Sequence, residues 1–166
     1  GGYRRIVRTM PNTPALVHAG VTGLYAPAEV GADGREQAEQ ILAAVGRTLW
    51  VDDEARIDGV TAVSGSGPAY VFYFIEALEQ AALELGFDAD QARLLAMETF
   101  HGAVLLARSS AEDPATLRAR VTSKGGTTER AVRELDGAAV KAKIVAAVRA
   151  AAGRSRELGD ELGKGG

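Results

Sequence analysis

The sequence contains no cysteine and only two histidines, His18 and His101. The missing thiols exclude disulfides and thiolate metal sites, which fits a cytosolic protein without requiring one. The two histidines lie far apart in the sequence and have no motif around them. They therefore lack the ligand spacing of a zinc site, and we expect no metal centre.

Charge and hydropathy exclude two further classes of partner. The 19 basic and 22 acidic residues give a net charge of −3, and neither sign is gathered into a block. A surface for nucleic acid or anionic lipid is therefore not indicated. No apolar run reaches the length that spans a bilayer. Hydrophobic residues make up 46% of the 166 positions, which is enough for a buried core.

The first third of the chain alternates between strand-like and helix-like patterns. We predict three strands and one helix, at residues 4–8, 21–26 and 48–51 and at residues 35–45. Pro27 stops the second strand and Gly46 ends the helix. The helix is predicted to be amphipathic, with four apolar residues on one face: Ala38, Ile41, Leu42 and Val45. This β-α-β order is typical of the edge of a parallel or mixed sheet.

Everything from about residue 55 onward is predicted to be helical. Pro68 fits the first turn of a helix, where its missing N–H costs nothing, and Gly86 ends that helix. Asp113 supplies an N-cap and Pro114 a first residue for a short helix. Further helices are predicted at residues 91–108, from about residue 128, and along the stripe formed by residues 140, 144, 148, 151, 155 and 158.

Apolar and aromatic side chains point in every direction through the helical turn from Tyr70 to Ile75. Such an all-round pattern predicts burial on every side of the helix. A helix of a chain this short seldom achieves that alone, so we infer that a partner chain covers one face. The alternative is a central helix that its own chain wraps completely.

The stretch Thr122-Ser123-Lys124-Gly125-Gly126-Thr127-Thr128 lies between two predicted helices. Adjacent glycines let backbone N–H groups turn toward one point. The first N–H groups of the following helix have no intrahelical partner and carry partial positive charge. The pattern predicts that the N–H groups of Gly125, Gly126 and Thr127, with the Ser123 hydroxyl, hold a carboxylate or phosphate. The alternative is an ordinary turn with threonine helix caps.

Three motifs occur in order: Met10-Pro11-Asn12-Thr13-Pro14-Ala15, then Ser64-Gly65-Ser66-Gly67-Pro68-Ala69-Tyr70, then the loop of residues 122–128. Together, at these separations, they closely resemble pyrroline-5-carboxylate reductase over residues 5–158. The resemblance implies reduction of 1-pyrroline-5-carboxylate to proline in cytoplasmic proline biosynthesis, with hydride from NADPH or NADH. It also implies an N-terminal Rossmann domain and a C-terminal helical domain that intertwines with a second subunit. Assembly beyond this homodimer stays open.

The same resemblance implies roles for individual residues. The hydroxyl of Thr128 would hydrogen-bond the ring nitrogen of the substrate and deliver or orient its proton, directly or through a water. The segment beside the nicotinamide would comprise Met10, Asn12 and Thr13, with a rigid turn as the alternative. The opening of the central helix, close to the imine, would comprise Ser66, Gly67 and Pro68, with a packing role as the alternative.

One departure from the family pattern is that no G-x-G-x-x-G follows a strand, because Gly65-Ser66-Gly67 follows a helical segment. We therefore expect the main cofactor-binding half to be absent. The Gly1-Gly2 start and the Gly-Lys-Gly-Gly end lead us to expect a fragment that carries residues from a tag. The predicted fold is mostly α: a short α/β Rossmann remnant at residues 1–53, a helical dimerisation and substrate-binding domain at residues 54–160, and a tail at residues 161–166.

Two rival functions stay open at this point. The first is a helical oligomerisation module with no turnover of its own. The second is a fragment of a related β-hydroxyacid-type dehydrogenase. Enzymes of that kind use a lysine base on a helix, and neither Lys141 nor Lys143 lies in such a motif.

Overall fold

A computed structural model describes residues 4–163, and these residues are mostly helical, as predicted. A small sheet comes first and contains the strands β1 (Arg8–Met10), β2 (Gly20–Tyr25) and β3 (Gly46–Trp50). The helices are α1 (Gly31–Ala43), α2 (Arg56–Val60), α3 (Gly67–Glu84), α4 (Ala89–Ser109), α5 (Pro114–Arg120), α6 (Thr127–Gly137) and α7 (Val140–Gly163). A wide π-helical turn at Thr61–Gly65 separates α2 from α3.

The described chain forms two compact units. The first contains residues 4–70 and 145–163, and the second contains Val71–Ile144. The predicted boundary between residues 53 and 54 separates two domains of the family. The compact units of this chain do not test it, so it stays a prediction.

The sheet is mixed, which is one of the two arrangements left open by the sequence, and its order is β1-β2-β3. Strand β1 runs antiparallel to β2 and β3 runs parallel to it. The prediction of a strand over residues 4–8 is wrong in its bounds. Strand β1 pairs from Arg8 opposite Tyr25 to Met10 opposite Gly23. Because Pro27 follows soon after the end of β2 and has no N–H to donate, β2 offers no ladder to the residues before Arg8.

The core of the first unit lies between β2 and α2. The buried side chains there include those of Thr22, Leu24 and Ile57. Helix α2 approaches β2 closely because Gly23 has no side chain. A Cβ at Gly23 would lie 2.6 Å from a methyl carbon of Val60, which is closer than real Cβ contacts allow. This packing places the π-helical turn beside the end of β1.

Helix α1 begins at Gly31 rather than near Arg35, and none of its residues is buried in this single chain. The side chain of Ile41 is 71% exposed. Polar contacts hold the helix against β3 instead. The Glu39 carboxylate accepts hydrogen bonds from the Thr48 hydroxyl at 3.0 Å and from the Trp50 indole N–H at 3.1 Å. The Arg35 guanidinium lies 4.9 Å from the Trp50 ring centroid, a cation–π distance.

The exposure of the aromatic side chains on α3 decides between the two explanations of the apolar turn at residues 70–75. In this single chain Phe72 is 58% exposed and Tyr73 is 70% exposed, so the alternative of a helix wrapped by its own chain is wrong. Ile75, one turn further, is buried. The predicted end of the helix is confirmed, since α3 stops at Glu84 and Gly86 adopts a φ of 94°.

Aspartate side chains cap the N-termini of α4 and α5. Helix α4 begins at Ala89, two residues before the prediction, because Asp88 forms a capping box with Gln91. The predicted cap of α5 is confirmed. The Asp113 carboxylate accepts hydrogen bonds from the N–H groups of Ala115 at 2.8 Å and Thr116 at 3.1 Å.

The cap at Asp113 predicts a dependence of stability on pH. The Thr116 hydroxyl, and then the N–H groups of Thr116 and Ala115, lower the pKa of Asp113 from its usual 3.8 by donating to its carboxylate. A lowered pKa contributes stability above the unfolded-state pKa, and that stability is lost as the pH falls through the folded-state pKa. We expect Asp113→Asn, which caps without a charge, to melt below wild type at neutral pH.

Thermal unfolding followed by circular dichroism from neutral pH to about pH 2 checks this prediction. The difference in Tm between wild type and Asp113→Asn should close at the acid end of the range. A difference that stays constant over the whole range would contradict a role for the charge.

Candidate functional site

The first motif lies at the end of β1, where Asn12 joins three segments. Its Oδ1 accepts a hydrogen bond from the Val21 N–H at 2.9 Å, which links it to β2. Its Nδ2 donates to the Ser64 carbonyl at 3.0 Å, which links it to the π-helical turn. Thr13 is exposed and opens a short 3₁₀ turn. The first and second predicted motifs therefore meet in the first unit.

The second motif contains the transition from the π-helical turn to α3. The Ser66 N–H donates to the Thr61 carbonyl at 2.8 Å, the five-residue spacing of a π-helix. Gly67 is the first residue of α3 and Pro68 the second. The Met10 methyl group lies where a side chain at Gly65 would project, with 2.7 Å between that methyl and an ideal Cβ. The end of β1 is thus packed directly on the start of the second motif.

The third motif lies in the second unit, where it forms the loop before α6. Gly125 adopts a φ of 74°, a conformation that favours glycine, and Gly126 is the extended N-cap of the helix. An ideal Cβ at Gly126 would lie 2.5 Å from the Ser123 hydroxyl oxygen. The two glycines are therefore needed for different reasons. Gly125 meets a backbone requirement, and Gly126 makes room for Ser123.

Two of the three backbone N–H groups that were predicted to hold an anion have hydrogen-bond partners within the loop and α6. The Gly125 N–H donates to the Glu129 carboxylate at 2.8 Å, and the Gly126 N–H donates to the Ser123 carbonyl at 3.0 Å. Thr127 opens α6 and is exposed. A ligand carboxylate could thus use Gly125 only by displacing the side chain of Glu129.

Glu129 is the residue that sequence reasoning missed. A signal for it was available, because Gly126-x-x-Glu129 has the spacing of a helix capping box. The side chain reaches one residue further back than in a standard box and binds Gly125 instead of the N-cap. Its carboxylate also lies 3.9 Å from the Arg133 guanidinium.

Thr128 is the second residue of α6 and is half-buried. The N-cap of this helix is Gly126, and no side-chain hydrogen bond caps it. The alternative in which Thr128 is a helix cap is therefore wrong for this residue. The residue belongs to the first turn of α6, where the N–H groups that lack an intrahelical partner and the helix dipole favour negative charge.

Among residues 4–163, the connection that follows β2 does not fit the pyrophosphate of a dinucleotide. The connection from β2 to α1 contains Pro27, a 3₁₀ turn and a Gly31-x-x-Gly34 spacing rather than G-x-G-x-x-G. A Rossmann fingerprint needs its glycines directly after the strand so that the backbone can approach the phosphates.

Neither a cluster of metal-binding side chains nor a membrane-spanning helix occurs among residues 4–163. No group of three or more His, Asp or Glu side chains in that range could hold a metal ion. None of the helices in the same range combines the length and the apolar character needed to cross a membrane.

Comparison with known proteins decides the family. Residues 54–158 match the family model described as pyrroline-5-carboxylate reductase dimerisation. A Pseudomonas aeruginosa protein named pyrroline-5-carboxylate reductase is 50% identical over 164 residues, which is 99% of this chain and 60% of that protein. This chain belongs to the pyrroline-5-carboxylate reductase family. Membership replaces the alternative of a related β-hydroxyacid-type dehydrogenase.

Further relatives and solved structures agree with this assignment. A Haemophilus influenzae pyrroline-5-carboxylate reductase is 43% identical, with 93% of this chain and 58% of that protein covered. A reductase structure from Coxiella burnetii matches with a TM-score of 0.89 at 45% identity, over 93% of this chain and 57% of that one. A Plasmodium falciparum structure with NADP bound matches with a TM-score of 0.87 at 31% identity, over 93% and 63%. The chain thus spans about 60% of the length of the curated reductases it matches.

Proposed function

We propose that this chain is the substrate-binding and dimerisation part of an enzyme that reduces 1-pyrroline-5-carboxylate to proline. The observation that carries the proposal is the 50% identity to a named reductase over 99% of this chain. The cofactor would be NADPH or NADH, and the Plasmodium falciparum structure with NADP bound supports this choice. Because the pyrophosphate does not fit the residues present here, the main cofactor half would come from residues outside this chain.

The substrate carboxylate would bind at the loop before α6. We assign this role to Ser123, Gly125, Gly126 and Thr127. The hydrogen bond from the Gly125 N–H to Glu129 supports the assignment, because it shows that a carboxylate fits this loop. The substrate would displace the Glu129 side chain or use the N–H groups of the first turn of α6. Positive helix-dipole charge favours an anion in either position.

Thr128 would act on the ring nitrogen. Hydride can add to the imine carbon only as the nitrogen gains a proton, so a hydroxyl beside that nitrogen can orient or relay the proton. An unperturbed threonine is a weak acid, which makes a water relayed through the hydroxyl the equal alternative to direct donation. The position of Thr128, half-buried and free of a cap role, supports this assignment.

The two motifs of the first unit would border the reacting atoms. We assign the nicotinamide side to Met10, Asn12 and Thr13, and the imine side to Ser66, Gly67 and Pro68. The hydrogen bond from Asn12 to the Ser64 carbonyl supports a common location for both groups. The residues of this chain would position the reactants, and the hydride itself would be supplied by the nicotinamide.

A second copy of this chain would complete the protein as a homodimer through intertwined helices. Exposed apolar side chains on α3, such as Val71, Phe72 and Tyr73, support a partner because such groups are rarely left in water together. The family match over residues 54–158 supports placing the helical dimerisation domain at 54–160, after a Rossmann remnant at 1–53. We propose a cytoplasmic location from the same family resemblance, and cell fractionation tests it.

The experiment compares this chain with the complete reductase, by which we mean the chain joined to the cofactor-binding residues of its own gene. The complete reductase should oxidise NADPH or NADH when pyrroline-5-carboxylate is added, and the isolated chain should not. Reduction by the isolated chain would overturn the claim that the main cofactor half lies elsewhere. An inactive complete reductase that still forms dimers would instead favour the second candidate, a helical oligomerisation module without turnover.

A further inference from the structure

The helix that contains the second motif has a gap in its backbone hydrogen bonding at Pro68. In a continuous α-helix the Ser64 carbonyl would accept from the N–H of the residue four positions later, which is Pro68. Proline has no N–H and cannot fill this position. The next N–H, that of Ala69, donates to the Ser66 carbonyl at 3.0 Å. Pro68 therefore deprives Ser64 of its backbone donor.

The side chain of Asn12 fills this gap from another part of the fold. Its Nδ2 donates to the Ser64 carbonyl at 3.0 Å, while its Oδ1 accepts from the Val21 N–H at 2.9 Å. A primary amide suits the position because it offers a donor and an acceptor at once. Asn12 is half-buried, so water would replace these two bonds incompletely.

A second carbonyl in the same stretch is also capped by a side chain. The Tyr70 hydroxyl donates to the Ala62 carbonyl at 3.2 Å, and Ala62 is 1% exposed. The π-helical turn thus obtains hydrogen bonds from the side chain of Tyr70 on the following helix and from Asn12 at the end of β1. Of these two, Asn12 is the one that ties the turn to a distant segment.

We infer that Asn12 is a positioning residue, and that it is needed because Pro68 cannot donate an N–H to the Ser64 carbonyl. The amide holds the end of β1 at a fixed distance from the opening of α3, and the Met10 methyl packed over Gly65 supports the same arrangement. The structural part of this inference stands on the hydrogen bonds alone, and its catalytic consequence rests on the proposed function. Loss of Asn12 should therefore matter less when residue 68 can donate an N–H.

A double-mutant cycle on this chain tests the structural part. Asn12→Ala leaves both the Ser64 carbonyl and the Val21 N–H without a partner, and we expect it to lower Tm by about 8 °C. In a Pro68→Ala background the new N–H can serve Ser64, so the same change should lower Tm by about 4 °C. Pro114→Ala, at the first residue of α5, is the matched control and should leave the full loss in place.

Equal losses in the wild-type and Pro68→Ala backgrounds would overturn the coupling. If Asn12→Ala does not fold, recovery of folding by Pro68→Ala supports the inference, and failure of the double variant to fold overturns it. Circular dichroism measures every arm of the cycle.

The catalytic consequence is measured on the complete reductase. We expect Asn12→Ala to lower kcat about 30-fold while KM for pyrroline-5-carboxylate changes less than about threefold, because misplacement of the reacting groups acts mainly on the chemical step. Adding Pro68→Ala should restore kcat at least about fivefold relative to Asn12→Ala alone. An active wild-type enzyme without this rescue overturns the positioning role. A wild type without turnover overturns the proposed function, and the melting cycle alone then supports or overturns the coupling.

Discussion

Thr128→Ala in the complete reductase is expected to lower kcat about 100-fold, the lower end of the range for loss of a positioned proton-transfer group. Tm should change by less than about 2 °C, since α6 is capped by Gly126 and Thr128 makes no capping hydrogen bond. The measurement combines steady-state kinetics with pyrroline-5-carboxylate and thermal unfolding of the same preparation. The expected separation of kcat from Tm distinguishes a chemical role from a packing role.

Thr128→Ser is the matched control for this prediction, because it keeps the hydroxyl and removes only a methyl group. It should retain most of the turnover. A Thr128→Ala enzyme with wild-type kcat and a clearly lower Tm would show that the residue stabilises α6 and does nothing at the ring nitrogen. Loss of kcat in both variants would point to the methyl group and would also contradict the hydroxyl role.

Gly46→Ala is expected to have the largest effect on stability, with a loss of at least about 4 kcal/mol. Gly46 begins β3 opposite Gly20 of β2, and its φ is 154°. An ideal Cβ at this position would lie 2.5 Å from the Gly20 carbonyl carbon and would overlap the carbonyl oxygen. Because the obstacle is backbone, neither strand can yield without breaking the parallel ladder. Tm should fall by about 10 °C, as measured by circular dichroism of this chain.

The control for this prediction is the same substitution at Gly59, inside α2. A Cβ there meets nothing within 4 Å, and alanine favours a helix over glycine by up to about 1 kcal/mol. Gly59→Ala should therefore keep or slightly raise Tm. If Gly46→Ala melts within about 2 °C of wild type, the close approach of β2 and β3 at their first residues is refuted.

Residues that begin or end a helix or strand account for most of the successful sequence predictions. Pro27 stopped β2, Gly86 ended α3, and Asp113 with Pro114 opened α5, each where the structure has it. In each case the interaction that begins or ends the element is made between residues close in sequence. It can therefore be predicted from the sequence alone. The apolar pattern of α1 did not indicate its burial, because burial depends on what lies opposite a helix face, and Ile41 is 71% exposed in this single chain.

Some features of the candidate site could likewise be predicted from the sequence, and others could not. Its motifs, and with them the family, were readable because glycine, proline and hydroxyl residues occur at fixed short spacings. The partners of the loop N–H groups could not be predicted, because a side chain such as Glu129 can hydrogen-bond to nearby backbone groups in more than one way. In the structure the Gly125 and Gly126 N–H groups donate to Glu129 and to the Ser123 carbonyl, so their role toward a ligand stays a prediction.

The sequence by itself determined the helical class of this protein, most helix ends and membership in the pyrroline-5-carboxylate reductase family. Tertiary structure alone decided that Asn12 would hydrogen-bond Ser64, 52 residues away, and that β1 would pair over Arg8–Met10 rather than over residues 4–8. The physical reason is the range of the interactions. Capping and turn formation are settled between neighbours in sequence, whereas strand pairing and the supply of a missing backbone donor depend on segments that meet only when the chain has folded.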